Sequence, residues 1–112
     1  MESERARQLL AQERTRIERA IAELHDQDEQ AVAEQGEPGE RGSEELYEKE
    51  LDTSLAEDLA EQLAAVERAE SRLAAGTYGI SIDSGEPIPD ERLQALPTAE
   101  RTVEEQRAHE ST

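Results

Sequence analysis

Carboxylates are the main chemical resource of this chain: 29 of its 112 residues are Asp or Glu, against 12 Lys and Arg, for a formal net charge of −17. A pair of carboxylates can act as general acid and base when its surroundings push the two proton affinities apart. Here acidic pairs recur along the whole length, so spacing singles none of them out. The chain has no cysteine, which excludes disulfides and thiolate metal ligands. No Ser-His-Asp context, phosphate-cradling Gly loop or basic aromatic patch is present. The expectation is a protein that is not an enzyme. The acid excess also disfavours direct nucleic-acid binding, which needs clustered Lys and Arg. A basic protein surface or channel suits it better, although acidity also keeps an elongated protein soluble.

The elements that must position these groups are helical. Residues 3–34 read as one helix, with Leu10, Ile17, Leu24 and Ala31 at intervals of seven and Ala6, Ala20 and Ile21 beside them. Glu and Arg fill the other faces, and no Gly or Pro interrupts. Gly36, Pro38, Gly39 and Gly42 then break the helix. Ser43 is a candidate N-cap, with Glu44 and Glu45 suited to the positive end of the next helix dipole. Residues 44–75 read as the second helix, with a stripe of Leu51, Leu55, Leu59, Leu63, Val66 and Leu73 supported by Ala69. Gly76 ends it. Two matched stripes around a central turn predict an antiparallel hairpin. A two-chain coiled coil is the alternative, and the midway turn argues against it.

Residues 76–112 change character. Ile80 and Ile82 alternate with polar residues, Ser84-Gly85 signals a turn, and Pro87 and Pro89 keep the return extended. Asp90 is read as the cap of a short helix through Ala95, and Thr98 as the cap of a last helix from about Ala99 to Ala108. With no Phe, no Trp and two Tyr, the available core is Tyr78, Ile80, Ile82, Ile88, Leu93, Leu96 and Val103. No stretch approaches the ~20 apolar residues that span a bilayer. Met1 to Arg7 carries both signs of charge without an apolar run, unlike a signal peptide. The expected location is the cytoplasm.

The segment GTYGISIDSGEPIPDERLQALPTAERTVEEQ, residues 76–106, resembles the DksA/TraR family of bacterial transcription regulators. The resemblance rests on Gly76, Tyr78, Gly79, Gly85, Pro87, Ile88, Arg92, Leu93, Ala95, Pro97 and Thr98. It implies a mostly α fold: a long antiparallel two-helix coiled-coil hairpin over residues 1–75, its tip at about 36–43, followed by a small C-terminal zinc-finger-like knot over 76–112. The knot would hold a short β-hairpin and one or two short helices. The family's two Cys-x-x-Cys knuckles correspond here to Ser81-Ile-Asp-Ser84 and Thr102-Val-Glu-Glu105. Hydroxyls that stay protonated near neutral pH are poor zinc donors, and His25 and His109 stand off the ligand spacing. Zinc is therefore expected to be lost, with Ser81, Ser84, Thr102 and Glu105 as degenerate ligand positions. Arg92 is expected either to anchor the knot to the hairpin or to face a partner, the structural role being preferred.

The same resemblance implies RNA polymerase as partner, reached through its secondary channel by the hairpin tip. The family's acidic tip motif, Asp-x-x-Asp-x-Ala, becomes Glu37-x-x-Glu40-x-Gly42. Charge sign and spacing persist, each carboxylate sits one methylene further out, and Gly42 loosens the backbone that Ala would stiffen. Acidic residues in such a turn are otherwise simply solvated. Asp26 and Glu29 with Ala31 form a similar string, read as a solvated helix face. The expectation is a monomeric regulator with no specific DNA contact, no membrane association and no resident cofactor, with coupling to the alarmone ppGpp implied by the resemblance alone. The alternatives are a protein-interaction module that kept the fold but binds another partner or only occludes the channel, and a metal-binding protein.

Overall fold

The computed structural model describes the backbone of residues 1–34 and 43–111, and the side chains of these outside 28–50. Four helices follow one another: α1 (Ser3–Glu34), α2 (Ser43–Ala75), α3 (Asp90–Ala95) and α4 (Val103–Glu110). The architecture is the expected one, a hairpin of two long helices and a small C-terminal knot. Neither α1 nor α2 contains Gly or Pro, so nothing interrupts 32 and 33 residues of helix. Each buries one narrow stripe, and the partner's stripe is what stabilises it.

The chain divides into two compact units. The first comprises Met1–Arg14 and Ala64–Thr112. In it Ala6, Leu9 and Leu10 of α1 and Val66 and Ala69 of α2 are buried. Arg14 of α1 reaches Glu70 of α2 with two nitrogens, at 2.6 and 3.4 Å. Both side chains are part-exposed, so this pair is worth at most about 1 kcal/mol. The second unit, Thr15–Leu63, buries Ile17, Leu24 and Leu59, and Arg16 Nη2 donates to Gln62 Oε1 at 3.0 Å.

The α2 stripe is shorter than its leucines suggest. Leu59, Val66 and Ala69 are buried, but Leu51 and Leu55 are 56% and 47% exposed. Leu51, Leu55 and Leu59 follow a strict four-residue step. Each such step advances about 40° beyond a full turn, so the row winds off the seam that a seven-residue repeat keeps.

Gly76 ends α2 with φ +80°: its N–H donates to Leu73 O at 3.2 Å, and Thr77 N–H to Arg72 O at 2.9 Å. This paired closure satisfies two terminal carbonyls and needs the left-handed backbone that glycine tolerates. In the knot beyond, Ile88, Leu93 and Ala99 form a buried cluster, with Met1 and Tyr78 packed against it. Ile80, Ile82, Leu96 and Val103, expected in that core, are exposed. The core is correspondingly small.

Three local expectations are corrected. The β-hairpin is reduced, among the described residues, to one antiparallel bridge, Ile80 to Pro87. Pro87 has no N–H to extend a ladder. Asp90 is the first residue of α3 rather than its cap; Pro89 precedes it, and no side chain caps the helix. The last helix begins at Val103 with Thr102 as cap, not at Ala99 with Thr98. The intervening backbone is used elsewhere: Ala99 N–H donates to Leu96 O at 3.0 Å, and Glu100 O accepts from Ile82 at 2.9 Å.

Candidate functional site

The four degenerate ligand positions sit on two turns. Ser81 begins the first. Its side chain is buried, and its Oγ accepts from the N–H groups of Asp83 and Ser84 at 3.1 and 3.3 Å. Its carbonyl accepts from Gly85 at 3.0 Å, and its own N–H donates to Glu86 O at 2.8 Å. Gly85 stands at φ +77°, which an L side chain would strain. Ser84 Oγ takes the N–H of Glu86 at 3.2 Å. A buried hydroxyl thus gathers the turn's amides about its own oxygen, which is what keeps a knuckle closed.

The second turn is a helix start. Thr102 Oγ1 accepts from Glu105 N–H at 3.2 Å, and Glu105 Oε1 accepts from Thr102 N–H at 3.0 Å. This is a reciprocal capping box, with two orphan amides satisfied at once. The two turns are tied to each other by Ile82 N–H donating to Glu100 O at 2.9 Å and Arg101 Nε donating to Asp83 Oδ2 at 2.8 Å. The Thr102 backbone N–H, then the hydrogen-bonding pull of the Ser84 and Ser81 hydroxyls, hold the Glu105 carboxyl down at about 2. The four positions thus form two local hydrogen-bonded sets, one within residues 81–86 and one between Thr102 and Glu105.

Four further groups fasten the knot. Tyr78 OH donates to Pro97 O at 2.8 Å, and burial pushes its phenol above the ordinary value, opposed by Arg72 and aided by Asp90. Arg92 Nε donates to Arg101 O at 2.9 Å, so its described bond holds the knot's own backbone. Pro97 is buried and Thr98 half-buried. Sequence reasoning missed Glu100, which accepts from Arg68 at 3.2 Å and Arg72 at 3.1 Å, both on α2. It also missed Arg101, whose Nε donates to Asp83 Oδ2 at 2.8 Å across the first turn. The four-residue spacing of Arg68 and Arg72 was the available signal, but their common partner lies 28 residues beyond Arg72. Glu37, Glu40 and Gly42 lie outside the described residues.

Residues 76–111 match a family model, the prokaryotic dksA/traR C4-type zinc finger. A solved structure of transcription factor DksA2 from Pseudomonas aeruginosa superposes with a TM-score of 0.83 and 26% identity, covering 97% of this chain and 83% of that one. Residues 76–111 therefore carry the sequence pattern of that zinc-finger family, and the chain has the fold of a DksA protein. Among other similar proteins, it is 45% identical over 67 residues to uncharacterized protein YteA of Bacillus subtilis and 43% identical over 58 residues to general stress protein 16O of the same organism. These matches cover 60% and 52% of this chain, which spans only 28% and 31% of the length of the two relatives. A structure of the RNA polymerase binding protein and transcriptional regulator Dks from Chlamydia trachomatis covers 91% of this chain and 87% of its own, at 24% identity and a TM-score of 0.47.

A C4 finger implies a zinc ion on four thiolates. The residues that the resemblance sets at those positions here do not fit one. Three are hydroxyl side chains, which stay protonated near neutral pH and are poor zinc donors, and all three already accept backbone N–H bonds. The carboxylate is committed to the cap. Among the described residues no group of three or more His, Cys, Asp or Glu could hold a metal. What these positions can do is close each turn on itself through hydrogen bonds.

Proposed function

We propose that this chain is a zinc-independent transcription regulator that binds RNA polymerase and places its hairpin tip in the secondary channel. The observation that carries the reading is the superposition on a DksA transcription factor over 97% of the chain. The hydrogen-bonded knot supports it, because a fold that closes without a metal keeps the base of the hairpin ordered. A net charge of −17 suits a basic channel and disfavours DNA. Among the described residues no helix is long and apolar enough to cross a membrane. In this reading the protein acts as a cytoplasmic monomer, and residues 1–75 and 76–112 divide the work between insertion and anchoring.

Glu37 and Glu40 would then act at the tip by electrostatics and hydrogen bonding in a confined space of low effective dielectric. Direct binding to core RNA polymerase, followed by transcription from a sensitive promoter, tests the reading. The double variant Glu37→Ala/Glu40→Ala is expected to bind with little change and to lose its effect on initiation. Displacement by another secondary-channel factor is expected for both forms. A chain that does not bind the core enzyme removes this function and leaves the fold assignment standing. A variant that binds and regulates normally removes the tip from the mechanism.

A further inference from the structure

Within the second unit, Leu51 and Leu55 lie one helical turn apart on α2 and are 56% and 47% exposed. The next residue in their row, Leu59, is buried in the seam. Residues at i and i+4 share a face, so the two leucines form one apolar ridge that leaves the seam and opens to solvent. Helices that meet nothing on a face carry polar residues there. In a chain with 37% charged residues, two adjacent large apolar side chains on such a face are the exception. Asp52 and Asp58 stand three residues to either side of Leu55, the spacing of surface neighbours on a helix. The ridge is therefore apolar and bordered by carboxylates.

We infer that Leu51 and Leu55 form a second docking element, an apolar ridge that seats in a hydrophobic groove rimmed by Lys and Arg on the RNA polymerase surface. The inference rests on the function proposed above and assigns the affinity to a place other than the tip. The charge pattern selects the occupant. A second copy of this chain would bring another acidic border against the first, and like charges facing each other oppose association. A basic rim satisfies Asp52 and Asp58 while the groove covers the leucines. The ridge would supply holding strength through removal of apolar surface from water, and the carboxylates would supply approach rate and orientation.

The test compares full-length wild type, Leu51→Gln/Leu55→Gln and Asp52→Asn/Asp58→Asn in equilibrium binding to core RNA polymerase at several salt concentrations. The leucine variant is expected to bind about tenfold or more weakly, as for loss of an interface anchor. Helicity and melting temperature should be unchanged, because both side chains are half exposed and Gln is a good helix former. The aspartate variant is expected to weaken binding and to flatten its salt dependence. Unchanged affinity of the leucine variant beside a binding wild type overturns this inference and leaves the proposed function intact. Failure of the wild type to bind overturns both. Sedimentation showing a wild-type dimer that the leucine variant dissolves assigns the ridge to a second copy and overturns the inference as well.

Discussion

Thr102 and Glu105 cap each other: the threonine hydroxyl accepts the glutamate N–H at 3.2 Å, and the glutamate carboxylate accepts the threonine N–H at 3.0 Å. The resemblance sets both at zinc-ligand positions, and the nearby hydroxyls of Ser84 and Ser81 also favour the charged carboxylate. Its proton affinity falls from 4.5 to about 2. A carboxyl depressed in the folded state contributes stability above its unfolded value and loses it as pH falls toward the folded one. The knot should therefore hold at pH 5 and above, and loosen on acidification through the range between 4.5 and about 2. Glu105→Gln should flatten that dependence. Thr102→Ala should cost about 1 kcal/mol of stability, as for loss of a helix cap. Urea unfolding of the three proteins at pH 7 and pH 3 measures both effects.

Glu100 is the second fastening point, with Arg68 and Arg72 both directed at its carboxylate. Arg72 is the more enclosed of the two, and its Nη2 is buried without a partner. Removing the carboxylate leaves a poorly solvated guanidinium with less compensation, which is the costly case for a charge pair. Glu100→Ala should lower stability by about 1–2 kcal/mol, a figure reduced for the exposure of Arg68. Arg68→Ala should cost a few tenths of a kcal/mol. Thermal melts of the single variants and of Glu100→Ala/Arg72→Ala give the coupling, and the double variant should lose less than the two singles together.

The long helices were legible because their sequence signals agree. Seven-residue spacing of Leu10, Ile17 and Leu24, absence of Gly and Pro, and Gly76 at the end place α1 and the close of α2 where they are found. The knot was legible by resemblance but not by local rules. Thr98 and Thr102 are equally good caps by type; the choice between them is made by Ile82, which takes the Glu100 carbonyl from 18 residues away. Asp90 looks like a cap, yet Pro89 already supplies the one carbonyl that both Arg92 and Leu93 use. The ion pairs of Glu100 and of Asp83 with Arg101 likewise depend on long-range closure. The resemblance named Thr102 and Glu105, but that they would cap the last helix reciprocally emerges only from the structure.

Hydrophobicity by itself overstated the knot's core, and this has a measurable consequence. Leu93 is 1% exposed and packs with Ile88 and Ala99, whereas Leu96 is 42% exposed. Truncating a buried leucine costs about 2–5 kcal/mol, a large share of what so small a cluster supplies. Leu93→Ala should unfold the knot or leave it exchanging amide hydrogens rapidly, while Leu96→Ala should change stability by less than about 1 kcal/mol. Hydrogen exchange of the Ile88 amide, bonded to Gly79 O at 2.8 Å, distinguishes the two variants. Equal protection in both would mean that the cluster does not organise the segment.

The turns that close by hydrogen bonds retain the backbone a thiolate site requires, and this can be tried directly. Ser81 accepts the amides of Asp83 and Ser84 as a knuckle sulfur would, and Gly85 supplies the left-handed turn beyond it. Ser81→Cys/Ser84→Cys/Thr102→Cys/Glu105→Cys should therefore bind one zinc per chain, because four thiolates at this spacing match a structural site. Elemental analysis should find zinc in the quadruple variant after purification and only trace metal in wild type. A chelator should lower the variant's melting temperature and leave the wild type's unchanged, since metal affinity becomes folding free energy only where the site exists. The zinc-free variant should also be less stable than wild type, because it has lost the Thr102–Glu105 cap without gaining an ion. Wild type that retains stoichiometric zinc, or melts earlier with chelator, would show that the hydroxyl and carboxylate network is not what closes the knot.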